Sequence, residues 1–175
     1  MQYNVGYAEL TAATMCKGKN DVRFYLNDYL LDGDNGKIVT TEGRIMFTGD
    51  IKGDTSGRFI VKLGVITFKK YDHVVFDTEQ LTATFFDKTG CVLGTMPITI
   101  TDANYPDWRR VAWEGNGHNV EEIAFRAEYI QTACKIAKLY DKQATFKMQF
   151  KSTIDAVRIT FKDSASTFHV MPCRF

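Results

Sequence analysis

The sequence predicts an α+β fold in which an antiparallel sheet carries helices on one face. Two observations lead to this prediction. Residues 7–17 have the composition of a short helix and are followed by strand-like segments. The same order returns near the end of the sequence, where a longer helical segment at 120–142 precedes three strand-like runs. Because the α-then-β order recurs, we expect at least two βα units.

The first unit begins with the helix, for which we expect bounds of 8–16. Strand patterns at 21–32 and 37–51 then flank the turn sequence GDNG at 33–36. The next apolar segment, 59–72, is rich in β-forming residues but could also hold one or two helical turns. We do not predict a helix there.

Strand patterns resume at 73–78, 80–87 and 91–101. The last two are joined by the tripeptide KTG at 88–90, which is typical of a hairpin because its glycine can adopt a positive φ. The region 102–119 predicts a connector, since it contains Pro106 and a run of glycine and asparagine. We expect a boundary between structural units there.

The last third of the sequence predicts a helix at 124–138. Three strands are expected after it, at 144–150, 156–161 and 167–175. One face of the helix is apolar and carries Ile130, Ala133, Ala137 and Tyr140. The opposite face is polar and mainly basic, with Glu128, Gln131, Lys135, Lys138 and Lys142. This two-sided pattern predicts a helix packed on the sheet with a basic outer face.

Composition excludes several classes of protein. With 45% hydrophobic and 25% charged residues among 175, the sequence is typical of an ordinary globular chain. No apolar window approaches the length needed to span a bilayer, and the first residues do not resemble a signal peptide, so we expect a cytoplasmic protein without membrane contact. The net charge of +1 predicts neither binding to nucleic acid nor its absence.

No motif of catalysis or cofactor binding is present in the sequence. The cysteines are far apart, at Cys16, Cys91, Cys134 and Cys173. The histidines are equally dispersed, at His73, His118 and His169. This spacing fits neither a metal site nor a catalytic triad, and no phosphate-binding glycine loop occurs. We therefore expect reduced cysteines and no enzymatic activity, metal or cofactor.

Four stretches occur in the order in which similar stretches occur in bacterial sliding clamps, the β subunits of replicative DNA polymerases. They are DVRFYLNDYLL, VTTEGRIM, YPDWRRV, and IAFRAEYIQTACKIAK followed by the terminal VMPCRF. Residues 1–111 resemble the middle domain of a clamp and 120–175 the second half of its last domain, with 112–119 as a connector. The first domain and the first half of the last domain have no counterpart.

The resemblance implies a DNA clamp-like fold, with repeated βα units, sheets outside and helices facing a central hole. It implies a processivity factor that binds linear motifs of polymerases and repair proteins, typically a glutamine followed by leucine and aromatic residues, and that surrounds duplex DNA without reading its sequence. An alternative is a clamp-derived adaptor or inhibitor that binds the same partners without encircling DNA. We prefer the first function, with which a homo-oligomer is compatible.

The resemblance also implies the site residues. The peptide-binding groove of the family corresponds to Thr41, Gly43, Met46, Pro106, Arg110, Val111, Tyr129, Val170, Met171, Pro172, Cys173, Arg174 and Phe175. Phe175 and Cys173 stand where the family usually has leucine and methionine. The residues implied to face DNA are Lys135, Lys138, Lys142, Lys17 and Lys19. Without the resemblance, the apolar groove residues would be typical of a core and the lysines of a solvated helix face.

Overall fold

A computed structural model describes residues 1–54 and 56–174 of the chain. The described residues form two α-helices and twelve strands. In chain order they are β1 (Gln2–Gly6), α1 (Tyr7–Cys16), β2 (Tyr29–Asp32), β3 (Lys37–Thr41), β4 (Ile45–Asp50), β5 (Lys52–Gly53), β6 (Arg58–Leu63), β7 (His73–Asp77), β8 (Thr82–Phe86), β9 (Val92–Thr101), α2 (Ala127–Tyr140), β10 (Phe146–Gln149), β11 (Val157–Phe161) and β12 (Thr167–Val170). Short 3₁₀ turns occupy Phe24–Asn27, Gly33–Asn35 and Trp108–Arg110.

All twelve strands belong to one sheet whose order is β10-β11-β12-β4-β3-β2-β6-β9-β8-β7-β1-β5, and neighbouring strands are antiparallel. The long strand β9 joins the two halves of the sheet. Met96 lies opposite Ala83 of β8, whereas Ile98 lies opposite Leu63 of β6. The strand changes partner around Pro97, a residue without an N–H group to donate to the sheet. The predicted α+β fold is confirmed.

Both helices lie on the same side of the sheet. Helix α1 packs against β1, β3, β4 and α2, and buries Leu10, Ala12, Ala13 and Cys16. Because its side chains are apolar on most faces, it is covered by protein nearly all round. Helix α2 is two-sided, with Tyr129, Ala133, Ile136 and Ala137 buried. The apolar face predicted for α2 is confirmed at Ala133 and Ala137, while Ile130 and Tyr140 are half-buried at its margins.

One apolar core extends across the predicted boundary at 112–119. Phe47 of β4 lies opposite Phe168 of β12, and both side chains are completely buried in the same cluster as α1 and α2. The segments before and after the connector therefore share a sheet and a core. Their assignment as separate domains, at 1–111 and 120–175, stays a prediction.

Several local predictions differ from the structure. The strand predicted at 37–51 is two strands, β3 and β4, joined by a turn at 42–44 in which Gly43 has φ +99°. The strand predicted at 167–175 ends at Val170, shortly before Pro172, which has no N–H to donate to a sheet.

The strand predicted at 21–32 begins only at Tyr29, because the side chain of Asn27 accepts from the backbone N–H of Asp21 and donates to its carbonyl, at 3.0 Å each, which closes a loop ahead of β2. The helix predicted from residue 124 begins at Ala127. Ala124 instead pairs with Cys173 in an isolated β-bridge. No helix forms between β6 and β7 within the described residues, as expected.

Candidate functional site

A cavity of about 220 Å³ lies where the β3–β4 turn, the segment after β9 and the end of β12 meet. We call it the first cavity. It is lined by Arg23, Leu26, Thr41, Gly43, Arg44, Ile45, Met46, Tyr105, Pro106, Asp107, Trp108, Val111, Ala156, His169 and Met171. Most of the lining is apolar, which is typical of a ligand-binding cleft with a few polar groups that orient the ligand.

The β3–β4 turn forms one wall and is held by its own side chains. The Thr41 hydroxyl donates to the Ile45 carbonyl at 2.6 Å and accepts from the Gly43 N–H at 2.9 Å. The Glu42 carboxylate accepts from the N–H groups of Arg44 and Ile45 at 2.9 and 3.1 Å. Gly43 adopts φ +99°, a backbone conformation that favours glycine. The turn is therefore preformed.

Arg23 fastens this turn to the loop before β2. Its guanidinium donates twice to the Asp21 carboxylate, at 2.8 and 3.0 Å, and once to the Glu42 carbonyl at 3.3 Å. The hydrogen bonds from Arg23 lower the pKa of Asp21 to about 2. With both its partners fixed, Arg23 forms a rigid rim beside Gly43.

The opposite wall is the segment from Tyr105 to Val111, which is anchored to the sheet. The Trp108 indole N–H donates at 2.9 Å to the carboxylate of Asp32, which is fully buried at the end of β2. Arg58 lies 3.5 Å from the same carboxylate oxygen. This buried acceptor holds the short 3₁₀ turn at Trp108–Arg110 against the sheet.

The third wall comes from the residues after β12. The Met171 N–H donates to the Arg44 carbonyl at 2.8 Å, which continues the β12–β4 pairing by one step. The Cys173 N–H donates to the Ala124 carbonyl at 2.9 Å. The segment is therefore docked on both sides. Trp113 in the connector donates to the Ala156 carbonyl at 2.7 Å and closes the wall.

Two polar side chains in the first cavity have no hydrogen-bond partner among the described residues. They are His169, with both ring nitrogens buried and unpaired, and Tyr105, with its hydroxyl buried and unpaired. Burial, assisted by the positive charge of Arg158, lowers the pKa of His169 to about 4, so the imidazole is neutral at pH 7. Burial likewise raises the pKa of Tyr105 far above its usual range, and the nearby Thr41 backbone, which does not reach hydrogen-bonding geometry, opposes the rise.

A second, more polar cavity of about 500 Å³ adjoins the first and shares Arg44 and Ile45 with it. Its lining comprises Met15, Lys17, Gly18, Lys19, Asp21, Glu42, Arg44, Ile45, Arg126, Glu128, Tyr129 and Thr132. Charged residues of both signs surround Tyr129 there. The two cavities meet at Arg44 and Ile45, and we call them together the groove, with one mainly apolar end and one charged end.

Only some of the sequence-predicted groove residues line the two cavities. Six line the first cavity, namely Thr41, Gly43, Met46, Pro106, Val111 and Met171, and Tyr129 lines the second. Arg110, Val170, Pro172, Cys173 and Arg174 lie outside both linings. Val170 is buried in the core, and the Arg110 side chain is largely exposed. Phe175 lies outside the described residues.

Sequence reasoning missed several lining residues. Tyr105 and Trp108 flank the predicted Pro106, and His169 lies two residues before the predicted Met171. Side chains at i and i+2 of a strand share a face, so strand periodicity would have grouped His169 with Met171 rather than with Val170. The remaining missed residues are Arg23, Leu26, Arg44, Ile45, Asp107 and Ala156.

The lysines predicted to face DNA fall in two places. Lys135, Lys138 and Lys142 are exposed on the outer side of α2 and just beyond its end. Lys19 is also exposed, in the loop after α1. Lys17 instead lies over the Tyr29 ring, with its Nζ 4.6 Å from the ring centroid, and burial lowers its pKa.

The described residues contain neither a cluster suited to a metal ion nor a helix suited to crossing a membrane. No group of three or more histidine, cysteine or acidic side chains could hold a metal ion in this part of the chain. Over the same residues, neither helix has the length and apolar character required to cross a membrane.

Comparison with solved structures identifies the fold. A Pseudomonas aeruginosa DNA polymerase sliding clamp with ligand aligns with TM-score 0.65 and 13% identity over 100% of this chain and 66% of that one. A C. crescentus β sliding clamp aligns with TM-score 0.64 and 14% identity over 99% and 65%. A P. aeruginosa sliding clamp bound to griselimycin aligns with TM-score 0.55 and 12% identity over 100% of this chain and 66% of that one.

The chain thus has the sliding-clamp fold that the sequence resemblance implied, and it spans about two thirds of the length of these clamps. No protein-family model matches the sequence, and no curated protein matches it.

Proposed function

We propose that this chain, which has the fold of the bacterial sliding clamps, binds short linear motifs of DNA polymerases or repair proteins in the groove described above. It would act in the cytoplasm as a clamp-like processivity factor without catalytic activity. The observation that carries the proposal is the first cavity, where three walls distant in sequence converge on a mainly apolar space whose lining includes six of the thirteen predicted groove residues.

The chemistry of the first cavity suits the apolar end of a peptide. Met46 and Met171 offer flexible, polarisable side chains that adapt to different ligands, and Pro106 and Val111 add stiff apolar surface. Burial of a few hundred Å² at about 25 cal/mol per Å² favours binding by several kcal/mol, and much of this is offset by ordering of the peptide. We therefore expect a dissociation constant on the order of micromolar.

The exposed lysines of α2 support a second contact, to duplex DNA. Lys135, Lys138 and Lys142 are flexible positive charges directed away from the core. Such side chains attract phosphates without reading bases, so binding should be independent of sequence and should weaken as salt is raised. This contact depends on the lysine side chains alone and not on either cavity.

The alternative function, an adaptor or inhibitor that does not encircle DNA, is favoured by the edges of the sheet. The edge strand β5 has only two residues, and the other edge, β10, has four, with Lys147 exposed at its centre. Short and charged edges discourage pairing with another copy. Light scattering with and without circular duplex DNA separates the functions, because a processive clamp requires a ring-sized oligomer retained on the circle.

The peptide-binding proposal is tested by fluorescence anisotropy with a labelled peptide that carries a glutamine-leucine-aromatic motif. Deletion of residues 171–175 should abolish binding. Met171→Ser should weaken it by about tenfold, since the lost apolar contact is worth roughly 1–2 kcal/mol. Leu93→Ser is the matched control, because Leu93 is 42% exposed, Met171 is 37% exposed, and Leu93 lies on β9 outside the groove. Unchanged binding after the deletion would refute the groove.

A further inference from the structure

The first cavity contains two polar side chains to which its other lining residues make no hydrogen bond. His169 is 1% exposed and Tyr105 is 9% exposed, and in the described chain neither side chain has a hydrogen-bond partner. The strand neighbours of His169 do not supply one. Met46 lies opposite it on β4, and Arg158 lies opposite it on β11.

An unpaired buried polar group is costly, by about 1–3 kcal/mol, and native proteins rarely retain one without a partner. The neutral imidazole of His169 offers one N–H donor and one lone pair. The Tyr105 hydroxyl can donate one hydrogen bond and can also accept one. Both residues line a space that can admit a ligand, so a ligand group that reaches their buried polar atoms can complete them.

We propose that this end of the cavity recognises the hydroxyl of a tyrosine side chain in the bound peptide, with His169 and Tyr105 as the residues that select it. The inference rests on the proposed function, since it specifies the peptide that the same groove binds. A phenol fits because its ring suits apolar walls such as Met46 and Trp108, while its hydroxyl both donates and accepts.

Other polar ligand groups match the two residues less well. A carboxylate only accepts and would leave the imidazole lone pair unpaired. A carboxamide matches the two residues in its number of donors and acceptors, but it lacks the aromatic ring that suits the apolar walls. The space is sufficient for a phenol, because apolar cavities of roughly 150 Å³ admit benzene and this one measures about 220 Å³.

The test uses two labelled peptides that are identical except that the aromatic residue after glutamine and leucine is tyrosine in one and phenylalanine in the other. Anisotropy gives both dissociation constants for the wild type, for Tyr105→Phe and for His169→Leu. The wild type should prefer the tyrosine peptide by about five- to tenfold, the effect of one hydrogen bond. Each substitution should reduce this ratio toward one, and changes in groove shape that affect both peptides cancel in it.

A second readout reports the contact itself. In the tyrosine complex, the ¹⁵N chemical shift of a His169 ring nitrogen should move, and in the phenylalanine complex it should not. Equal affinity of the wild type for both peptides would overturn the inference and leave the proposed function intact, with water satisfying the two groups. A tyrosine preference that persists in both variants would also overturn it. Failure of both peptides to bind would overturn the proposed function and the inference together.

Discussion

The first cavity and the basic face of α2 depend on the fold in opposite ways. The cavity exists only where the β3–β4 turn, the Tyr105–Val111 segment and the residues after β12 are brought together by long-range contacts. The basic face is a property of one helix, whose lysines project from the side opposite its buried residues. The cavity thus requires tertiary structure, whereas the face requires only helix formation.

The first cavity and the basic face of α2 also differ in their electrostatics. The cavity holds neutral polar groups without partners and is braced by the buried carboxylate of Asp32. The exposed lysines of α2 remain hydrated, so they lower the free energy of unfolding very little. Substitutions around the cavity should therefore change stability together with binding, and substitutions on the helix face should change binding alone.

Asp32→Ala should produce the largest loss of stability. The change leaves the Trp108 indole N–H without its acceptor and removes the partner of Arg58, so the free energy of unfolding should fall by about 3–4 kcal/mol. Urea denaturation measures the change. Asp50→Ala is the control, since Asp50 pairs with Lys37 at an exposed position and should contribute less than about 1 kcal/mol. Equal effects of the two substitutions would show that Asp32 is not an anchor.

His169 should make the fold sensitive to mild acid. Its folded pKa of about 4 lies below the ordinary value of 6.5, so the unfolded chain takes up a proton that the folded chain resists. The free energy of unfolding is therefore highest above pH 6.5 and falls as the pH is lowered toward 4. The total decrease is about 3 kcal/mol.

Urea denaturation at several pH values between 7.5 and 4 measures this dependence. His169→Leu should flatten it, whereas His118→Gln, at an exposed position, should leave it as in the wild type. If His169→Leu kept the full acid sensitivity, other groups would be its source.

Gly43→Ala should have an intermediate effect, of about 1–3 kcal/mol. The substitution places a side chain at φ +99° with a Cβ only 3.0 Å from the Arg23 guanidinium. Gly90→Ala is the matched control, because Gly90 has φ +82° but no atom within 4 Å of its Cβ position. The difference between the two variants in urea denaturation isolates the Arg23 contact. A Gly90 variant as unstable as the Gly43 variant would mean that backbone strain accounts for the whole effect.

The sequence predicted well those elements whose formation is local. Helix α1 and the β8–β9 hairpin were expected close to their observed bounds, and Gly90 in the hairpin has the positive φ that its turn requires. The first turn of the second helix was misplaced because Ala124 pairs with Cys173, an interaction across nearly fifty residues. The strand at 21–32 was overextended because the Asn27 side chain competes for the backbone.

The candidate site shows the same limit. Met46, Pro106 and Met171 could be assigned from the resemblance, since they lie within its motifs. Strand periodicity could have grouped His169 with Met171, but neither His169 nor Tyr105 could be recognised as an unpaired polar group, because the property that distinguishes them is the lack of a partner for a buried group. That property depends on every neighbour in the fold, and no sequence pattern encodes it.

The smallest effect on stability is expected for the basic face. Replacement of Lys135, Lys138 and Lys142 by glutamate should change the free energy of unfolding by less than about 1 kcal/mol, because all three side chains are exposed. Duplex binding should nevertheless be lost. If each lysine meets one phosphate, the three lysines should contribute about −2.7 to the wild-type slope of log affinity against log salt.

Anisotropy of labelled duplexes between low and moderate salt measures both quantities. A variant with glutamate at Lys62, Lys70 and Lys88 has the same net charge and alters exposed lysines outside α2, so it separates position from overall charge. The α2 variant should lose duplex binding and keep peptide binding, whereas the control should keep both. Equal losses in the two variants would assign DNA binding to net charge, and the functional distinction between cavity and helix face would then fail on the DNA side.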